Sequence, residues 1–402
     1  MNLFTLPHFP IKNKTIFLRV DFNVPLQERK ITDTTKIKAT LPTIKCLLQQ
    51  KCKIVLATHL GQPRGKVVPE LQVEPLVQEL KRLLPKQKII PLEDCIGSEI
   101  RNQIVNGKPQ QIFFLENLRF YPQEENNNPI FAHALGSLAD IYINDAFGVA
   151  HRKHASIDAI THFLPSGAGF LLEKEIKYLS QALHPKRPAI WIMGGAKLHK
   201  IGLIKQALKK ADYILIGGAL AFAFLKAQNI PVGLSKIDAD SIHQARTILH
   251  TSASKKIILP LDFVVAEKFS STAKTAIVPY DTIQPNQLAL DLGPQTIKLY
   301  QHYLRKAHTI VWNGPLGYFE WAKFATATKE IGRFIGKLTA TTIVGGGETA
   351  DAIIKFHLQH ELTHLSTGGG AAMEFLSGQE LPGIIALEKN YTKFKKKMQI
   401  LN

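Results

Sequence analysis

The sequence predicts an α/β chain built as two doubly wound parallel-sheet (Rossmann-like) domains joined by a connecting helix. Three observations predict it. A short apolar run rich in Ile, Val, Leu and Phe recurs about nine times, ends in a Gly- or Asn-containing turn, and is usually followed by helical spacing. One mid-chain segment, 170–183, breaks that rhythm with a helical pattern bounded by breakers. The chain has 402 residues, and at roughly 100–200 residues per domain that length suggests two domains.

The runs, in chain order, are KIVLATHLG (53–61), QIFFLENLRF (111–120), DIYINDAFG (140–148), AIWIMGGAK (189–197), DYILIGGAL (212–220), KIILPLDFV (256–264), HTIVWNGPLG (308–317), ATTIVGGGET (340–349) and LTHLSTGGG (362–370). Unbroken apolar strands are buried on both faces, the mark of a parallel sheet covered by helices. Strand–loop–helix repetition argues for the doubly wound arrangement, in which ligands bind beyond the carboxyl ends of the strands. The turns are therefore the place to look for function. Segment 170–183 carries Leu171, Leu172, Ile176, Leu179 and Leu183 at helical spacing, between PSGAG (165–169) and HPKRP (184–188). Such a bounded helix reads as a connector between two sheets. The expected divisions are an N-terminal domain over 1–169, the connector over 170–184, a C-terminal domain over 185–385 and a basic segment over 386–402.

Composition removes several classes. The chain is 45% hydrophobic and 20% charged, with 27 Gly and 22 Pro, ordinary globular usage that excludes collagen, coiled coil and wholesale disorder. Cys46, Cys52 and Cys95 are too few and too unevenly spaced for a disulfide framework or a four-ligand zinc site. No apolar stretch approaches the roughly 18 residues a membrane span needs, and the first residues lack a basic region followed by an apolar core. A reducing cytoplasm, with no membrane attachment, is the expected setting. The net charge of +18 is spread over both halves rather than gathered in one arm. Charge of this kind steers small anions, and no nucleic-acid role is expected. The run Lys395, Lys396, Lys397 reads as a solvated tail.

The turns differ by half. Before the connector they carry Arg19, Asp21 and Asn23, then His59, Arg119, and His151 with Arg152. After it they carry glycine pairs and triplets at 194–195, 217–218, 345–347 and 368–370. Arginine grips carboxylate or phosphate with two parallel hydrogen bonds. Glycine turns let backbone N–H groups approach a phosphate at a helix start, where the dipole also helps. One half is thus built for a small polyanion and the other for a nucleotide. No Walker A, GxGxxG, HExxH or EF-hand pattern occurs, and GGAK (194–197) has the wrong spacing for a phosphate loop. His59, His151 and His154 read as hydrogen-bonded structural residues, Arg119 and Arg152 as anion binders, and Trp191 and Met193 as core.

At this point the chain resembles the phosphoglycerate kinase family nearly end to end. RVDFNVP (19–25), LPTI (41–44), THLG (58–61), LENLRF (115–120) and NDAFGVAHRKHAS (144–156) carry the likeness in the first half. GGAK (194–197), LDFVVAEKFS (261–270), DLGP (291–294), WNGPLGYFE (312–320), GGGET (345–349) and STGGGA (366–371) carry it in the second. The resemblance implies a Mg²⁺-dependent kinase that moves a phosphoryl group between 1,3-bisphosphoglycerate and ADP, giving 3-phosphoglycerate and ATP. It further implies a monomer whose domains close about a hinge and whose chain end packs back on the N-terminal domain. On the glycerate side it matches Asp21, Asn23, His59, Arg119 and Arg152, with Phe22, Leu60, Gly61 and Gln62 beside them and Lys36 at a catalytic position. On the nucleotide side it matches Lys197, Lys200, Asn313, Glu320, Gly346, Gly347, Glu348 and Thr349. Lys197, Lys200, Gly369 and Gly370 fall among its catalytic groups, and Glu348 near its metal.

Four positions depart from the family pattern. Lys36 stands where D-x-x-R-I-x-A has arginine, and Gln62 replaces a second arginine, with Arg64 two residues on. Lys200 follows Lys197 one residue sooner than usual, and Glu348 replaces the aspartate of GGGDT. Losing one such contact on a transition state costs on the order of 10²–10³ in rate, although Lys36 keeps the charge. A working kinase is the first reading, and a homologue that binds both ligands but turns over poorly is the alternative.

Overall fold

The structure, a computed structural model, describes residues 2–195, 201–235 and 237–399. Its strands in chain order are β1 (Phe4–Thr5), β2 (Thr15–Val20), β3 (Leu26–Gln27), β4 (Lys30–Ile31), β5 (Lys53–Ala57), β6 (Ile89–Pro91), β7 (Ile112–Phe114), β8 (Ile141–Asp145), β9 (Ser166–Ala168), β10 (Ala189–Met193), β11 (Tyr213–Ile216), β12 (Ile257–Ile258), β13 (Asp262–Ala266), β14 (Thr275–Pro279), β15 (Leu288–Leu292), β16 (Thr309–Asn313), β17 (Thr341–Gly345) and β18 (His364–Leu365). The chain divides into two compact units, one of residues 1–176 and 380–402, the other of residues 177–379.

The first unit holds a seven-stranded sheet in the order β1-β9-β8-β2-β5-β7-β6, parallel throughout. Its inner strands are apolar on both faces, because helices cover both: Ile16, Phe17 and Leu18 of β2 are all fully buried. The terminal helix Pro382–Gln399 also belongs here. Asn390 Nδ2 donates to the Leu164 carbonyl at 2.8 Å, and its Oδ1 accepts from Ser166 N at 2.9 Å. The Tyr391 ring lies 4.7 Å from that of Phe4.

The second unit holds a six-stranded parallel sheet in the order β12-β11-β10-β16-β17-β18. Both sheets are α/β of the doubly wound kind, as the apolar runs and following helices require. The connector forms a helix over Phe170–Leu183. It buries Leu172, Ile176 and Leu179, and Asp145 at the end of β8 accepts from Leu171 N at 2.8 Å and Leu172 N at 3.1 Å at its start.

One run folds differently from its reading as a single strand. Of KIILPLDFV only Ile257–Ile258 joins the parallel sheet. Pro260 has no N–H to give a ladder, and Asp262–Ala266 leaves to form a separate antiparallel sheet in the order β14-β13-β15. Asp262 then anchors the helix Pro294–Leu304, accepting from Thr296 N at 2.8 Å and Gln295 N at 3.0 Å. Among the described residues no helix is long and apolar enough to cross a membrane.

Candidate active site

Strand order decides what meets in the first unit. β8, β2, β5 and β7 are consecutive neighbours, so the turns after them lie side by side at the carboxyl edge of the sheet. Asp21 and Asn23 follow β2. Lys36, on the helix Thr35–Gln49, donates to Asp21 Oδ2 at 2.8 Å. Asp21 Oδ1 accepts from Asn23 N at 3.2 Å, and Asn23 Oδ1 accepts from Gly61 N at 2.9 Å. Gly61 has φ +63°, a left-handed conformation that favours glycine, and a Cβ there would press on Leu71 Cδ2 at 2.7 Å. The Gly61 carbonyl accepts from Arg119 Nη1 at 2.9 Å. One polar chain thus runs Lys36–Asp21–Asn23–Gly61–Arg119.

Arg119 sits in the short 3₁₀ turn Leu118–Phe120 after β7. Its side chain is largely buried, which pushes its pKa down, with Glu125 opposing at 3.3 Å from Nε. His59 is 2% exposed. Burial pushes its imidazole well below the ordinary histidine range, and the charges of Arg19, Arg119 and Lys36 push the same way. Arg19 Nη2 lies 3.3 Å from His59 Nδ1, and a guanidinium can only donate, so Nδ1 accepts and the proton resides on Nε2. The ring is therefore a neutral donor, unsuited to gather a proton near pH 7.

The remaining matched residues fall into two sorts. Phe22 and Leu60 are buried core side chains, so only their backbones can serve a ligand; Phe22 N donates to Thr58 Oγ1 at 3.0 Å. Gln62, Arg64 and Arg152 are exposed. Arg152 N donates to the Val149 carbonyl at 2.9 Å, which fixes the root of a solvent-facing guanidinium. Lys36, Asp21, Asn23, Gly61 and Arg119 are tied together directly, and His59 is tied to Arg19 beside them. Arg19, which looked like part of a turn, is instead the penultimate residue of β2 and fully buried.

In the second unit β11, β10, β16, β17 and β18 are consecutive, so the glycine turns after them are neighbours. They pack backbone against backbone: a Cβ on Gly314 would fall 2.0 Å from the Gly194 carbonyl oxygen, and one on Gly218 would fall 2.6 Å from Gly195 N. Gly346, at φ +95°, caps the helix Gly347–Lys355, and a Cβ there would meet Asn313 Nδ2 at 2.9 Å. Gly369, at φ +49°, precedes the helix Gly370–Leu376. Among the described residues nothing lies within 4 Å of where a Cβ on Gly347 or Gly369 would be, so none of them covers the backbone at either turn.

Thr349 is fully buried and accepts from Gly314 N at 2.6 Å. Asn313 is also fully buried, with Nδ2 donating to the Gly345 carbonyl at 3.0 Å and Oδ1 without a hydrogen-bond partner among the described residues. These two residues brace the turns on either side of them. Lys197 and Lys200 lie outside the described residues.

Beside the turns is a cavity of about 250 Å³. Phe222, Phe263, Leu292, Leu316 and Phe319 make it apolar, and Glu320 and Glu348 supply its more accessible carboxylates. Asp291 lines it too, 2% exposed, its carboxyl pushed up to about 8 by burial. Lys355 donates to the carbonyls of Phe319 at 3.1 Å and Glu320 at 2.8 Å. The wall residues escaped the sequence reading because apolar side chains in apolar runs look like core. Phe263, Leu292, Leu316 and Phe319 were marked only by their place in LDFVVAEKFS, DLGP and WNGPLGYFE, and Phe222 by no motif.

Cations beside a polar network at one carboxyl edge, and bare glycine turns beside an apolar slot at the other, define an α/β phosphotransferase. The family model for phosphoglycerate kinase matches residues 6–379, and the chain belongs to the phosphoglycerate kinase family. It is 45% identical over 387 residues to the phosphoglycerate kinase of Moorella thermoacetica, covering 95% of this chain and 98% of that one. It is likewise 45% identical over 394 residues to the cytosolic phosphoglycerate kinase of Triticum aestivum, covering 96% and 98%. Among solved structures, phosphoglycerate kinase from Coxiella burnetii matches with a TM-score of 0.87 at 34% identity, covering 96% of this chain and 99% of that one. The enzyme from Pyrococcus horikoshii matches at 0.86 and 33%, covering 98% and 100%.

Proposed function

We propose that this kinase carries out reversible in-line phosphoryl transfer between 1,3-bisphosphoglycerate and ADP, giving 3-phosphoglycerate and ATP, as in glycolysis and gluconeogenesis. The observation that carries this reading is the polar chain from Lys36 to Arg119 with neutral His59 beside it. It offers fixed donors to a small molecule bearing a carboxylate at one end and a phosphate at the other. Asp21 and Asn23 receive the glycerate hydroxyl side, while His59, Arg119 and Arg152 receive the anionic groups. The C-terminal unit takes the nucleotide: the apolar cavity takes the base, Glu320 the ribose, and the glycine turns the phosphates. Closure about the connecting helix brings the two substrates into line and excludes water from the acyl phosphate.

The chemistry needs few groups. The 3-phosphoglycerate carboxylate is already a nucleophile, so ATP consumption requires no general base. What remains is positioning and the neutralisation of charge on the moving phosphoryl. Lys36 supplies one cation, and Lys197 and Lys200 are proposed as others. Uncovered backbone N–H groups at Gly369 and Gly370 supply fixed dipoles. No group of three His, Cys, Asp or Glu among the described residues could hold a metal alone. Glu348, a single hard carboxylate at the start of a helix beside the cavity, fits an ion held chiefly by nucleotide phosphates, the habit of Mg²⁺. Bound there, Mg²⁺ would offset phosphate charge. The wheat relative is named cytosolic, and a cytoplasmic monomer without nucleic-acid or membrane partners completes the proposal.

The test is steady-state turnover of the purified protein with 3-phosphoglycerate and Mg-ATP, the product being reduced by a coupled NADH-dependent dehydrogenase. The expected kcat lies within about 1–10³ s⁻¹. Binding of both ligands at a thousandfold lower rate would overturn the reading in favour of an impaired homologue.

A further inference from the structure

Arg19 is fully buried. Its guanidinium is committed inside the first unit. Nη1 donates to the Val20 carbonyl, Nε donates to Ser156 Oγ at 2.8 Å, and Nη2 donates to His59 Nδ1 at 3.3 Å. The Ser156 hydroxyl donates in turn to Glu124 Oε1 at 2.6 Å, while Ser156 N donates to Glu124 Oε2 at 2.9 Å. Glu124 is itself fully buried, 4.0 Å from Arg19 Nη2 and 3.9 Å from His154 Nδ1. Donors and acceptors admit only one direction here, because Arg19 can only give and an ionised Glu124 can only receive.

The one-turn helix Pro122–Glu125 thus serves both buried arginines. Glu124 turns inward to Arg19, and Glu125 lies 3.3 Å from Arg119 Nε. Replacing a buried ion pair with apolar side chains is commonly neutral or stabilising, so stability alone does not call for this one. Its product is a defined state of His59, with Nδ1 occupied as an acceptor and Nε2–H as the only donor.

We propose that Glu124 and Ser156 are positioning residues of the 3-phosphoglycerate site, acting through Arg19 to hold His59 as a fixed, neutral Nε2–H donor. The proposal rests on the site reading given above for His59 and Arg119. It assigns Arg19 to scaffolding rather than to ligand contact.

The experiment is two-bond ¹H–¹⁵N NMR of the full chain with labelled histidine, together with steady-state kinetics, on wild type, Glu124→Gln and Ser156→Ala. Wild-type His59 is expected to show the Nε2–H tautomer throughout the pH range where a free histidine titrates. In Glu124→Gln the Nδ1–H form or titration should appear. KM for 3-phosphoglycerate should rise about tenfold, the scale of one charge-assisted hydrogen bond, with KM for ATP changed less than about twofold. A folded Glu124→Gln with unchanged His59 resonances and unchanged KM values would overturn the proposal. If that variant does not fold, Ser156→Ala, which removes only the bridging oxygen, faces the same two readouts. Failure of the wild type to bind 3-phosphoglycerate would count against the site reading, while the histidine spectra of the variants would still decide whether Glu124 sets the tautomer.

Discussion

The two units solve the same problem with opposite materials. At the carboxyl edge of the first sheet the turns are made of side chains that hold one another, from Lys36 through Asp21, Asn23 and Gly61 to Arg119. At the edge of the second the turns are nearly bare backbone, braced from behind by Asn313 and Thr349. A small ligand with unlike ends needs distinct groups at fixed places, and only side chains provide those. A polyphosphate presents the same oxygens repeatedly, and backbone N–H groups with a helix dipole suit it. The difference between the edges therefore follows the difference between the ligands proposed for them.

Substitutions that touch one edge alone can break this comparison. The largest expected effect is from Arg152→Ala. It removes an exposed cation of the first unit and should raise KM for 3-phosphoglycerate about 10–100-fold while leaving KM for ATP nearly unchanged. Equal effects on both would remove the assignment of the two units. Next is Gly346→Ala, which forces a Cβ onto a φ of +95° and against Asn313. It should cost about 1–3 kcal/mol in local strain and raise the Kd for ATP about tenfold, sparing 3-phosphoglycerate; isothermal titration with each ligand measures both dissociation constants. The smallest is Lys36→Arg. With a planar fork restoring two parallel bonds, kcat should stay within about threefold of wild type or rise. A large loss would show that Lys36, held here on Asp21 at 2.8 Å, does not occupy the catalytic position.

The parallel strands were legible because burial on both faces leaves unbroken apolar runs such as IFF in β7 and TIVWN in β16. The helix Phe170–Leu183 was legible because Leu172, Ile176 and Leu179 keep helical spacing between breakers. The antiparallel sheet was not. β14 is TAIVP, mostly exposed, and β13 hides inside a run that also contains β12. Nor was the buried network around Arg19, whose partner Ser156 is 137 residues away. Glu124 sits in a polar stretch that reads as surface, and nothing local distinguishes it from Glu125. Candidate site residues could be proposed from single motifs. Those acting across motifs needed the fold.

The crossing of the chain between units has a consequence for biosynthesis. Residues 177–379 form one compact unit from a single stretch, but the other is closed by a helix that comes after them. Until that helix emerges from the ribosome, Ser166 N and the Leu164 carbonyl lack Asn390, and Phe4 lacks the ring of Tyr391. The half of the protein made second can therefore be finished first, and the half begun first is locked last, by the helix Pro382–Gln399.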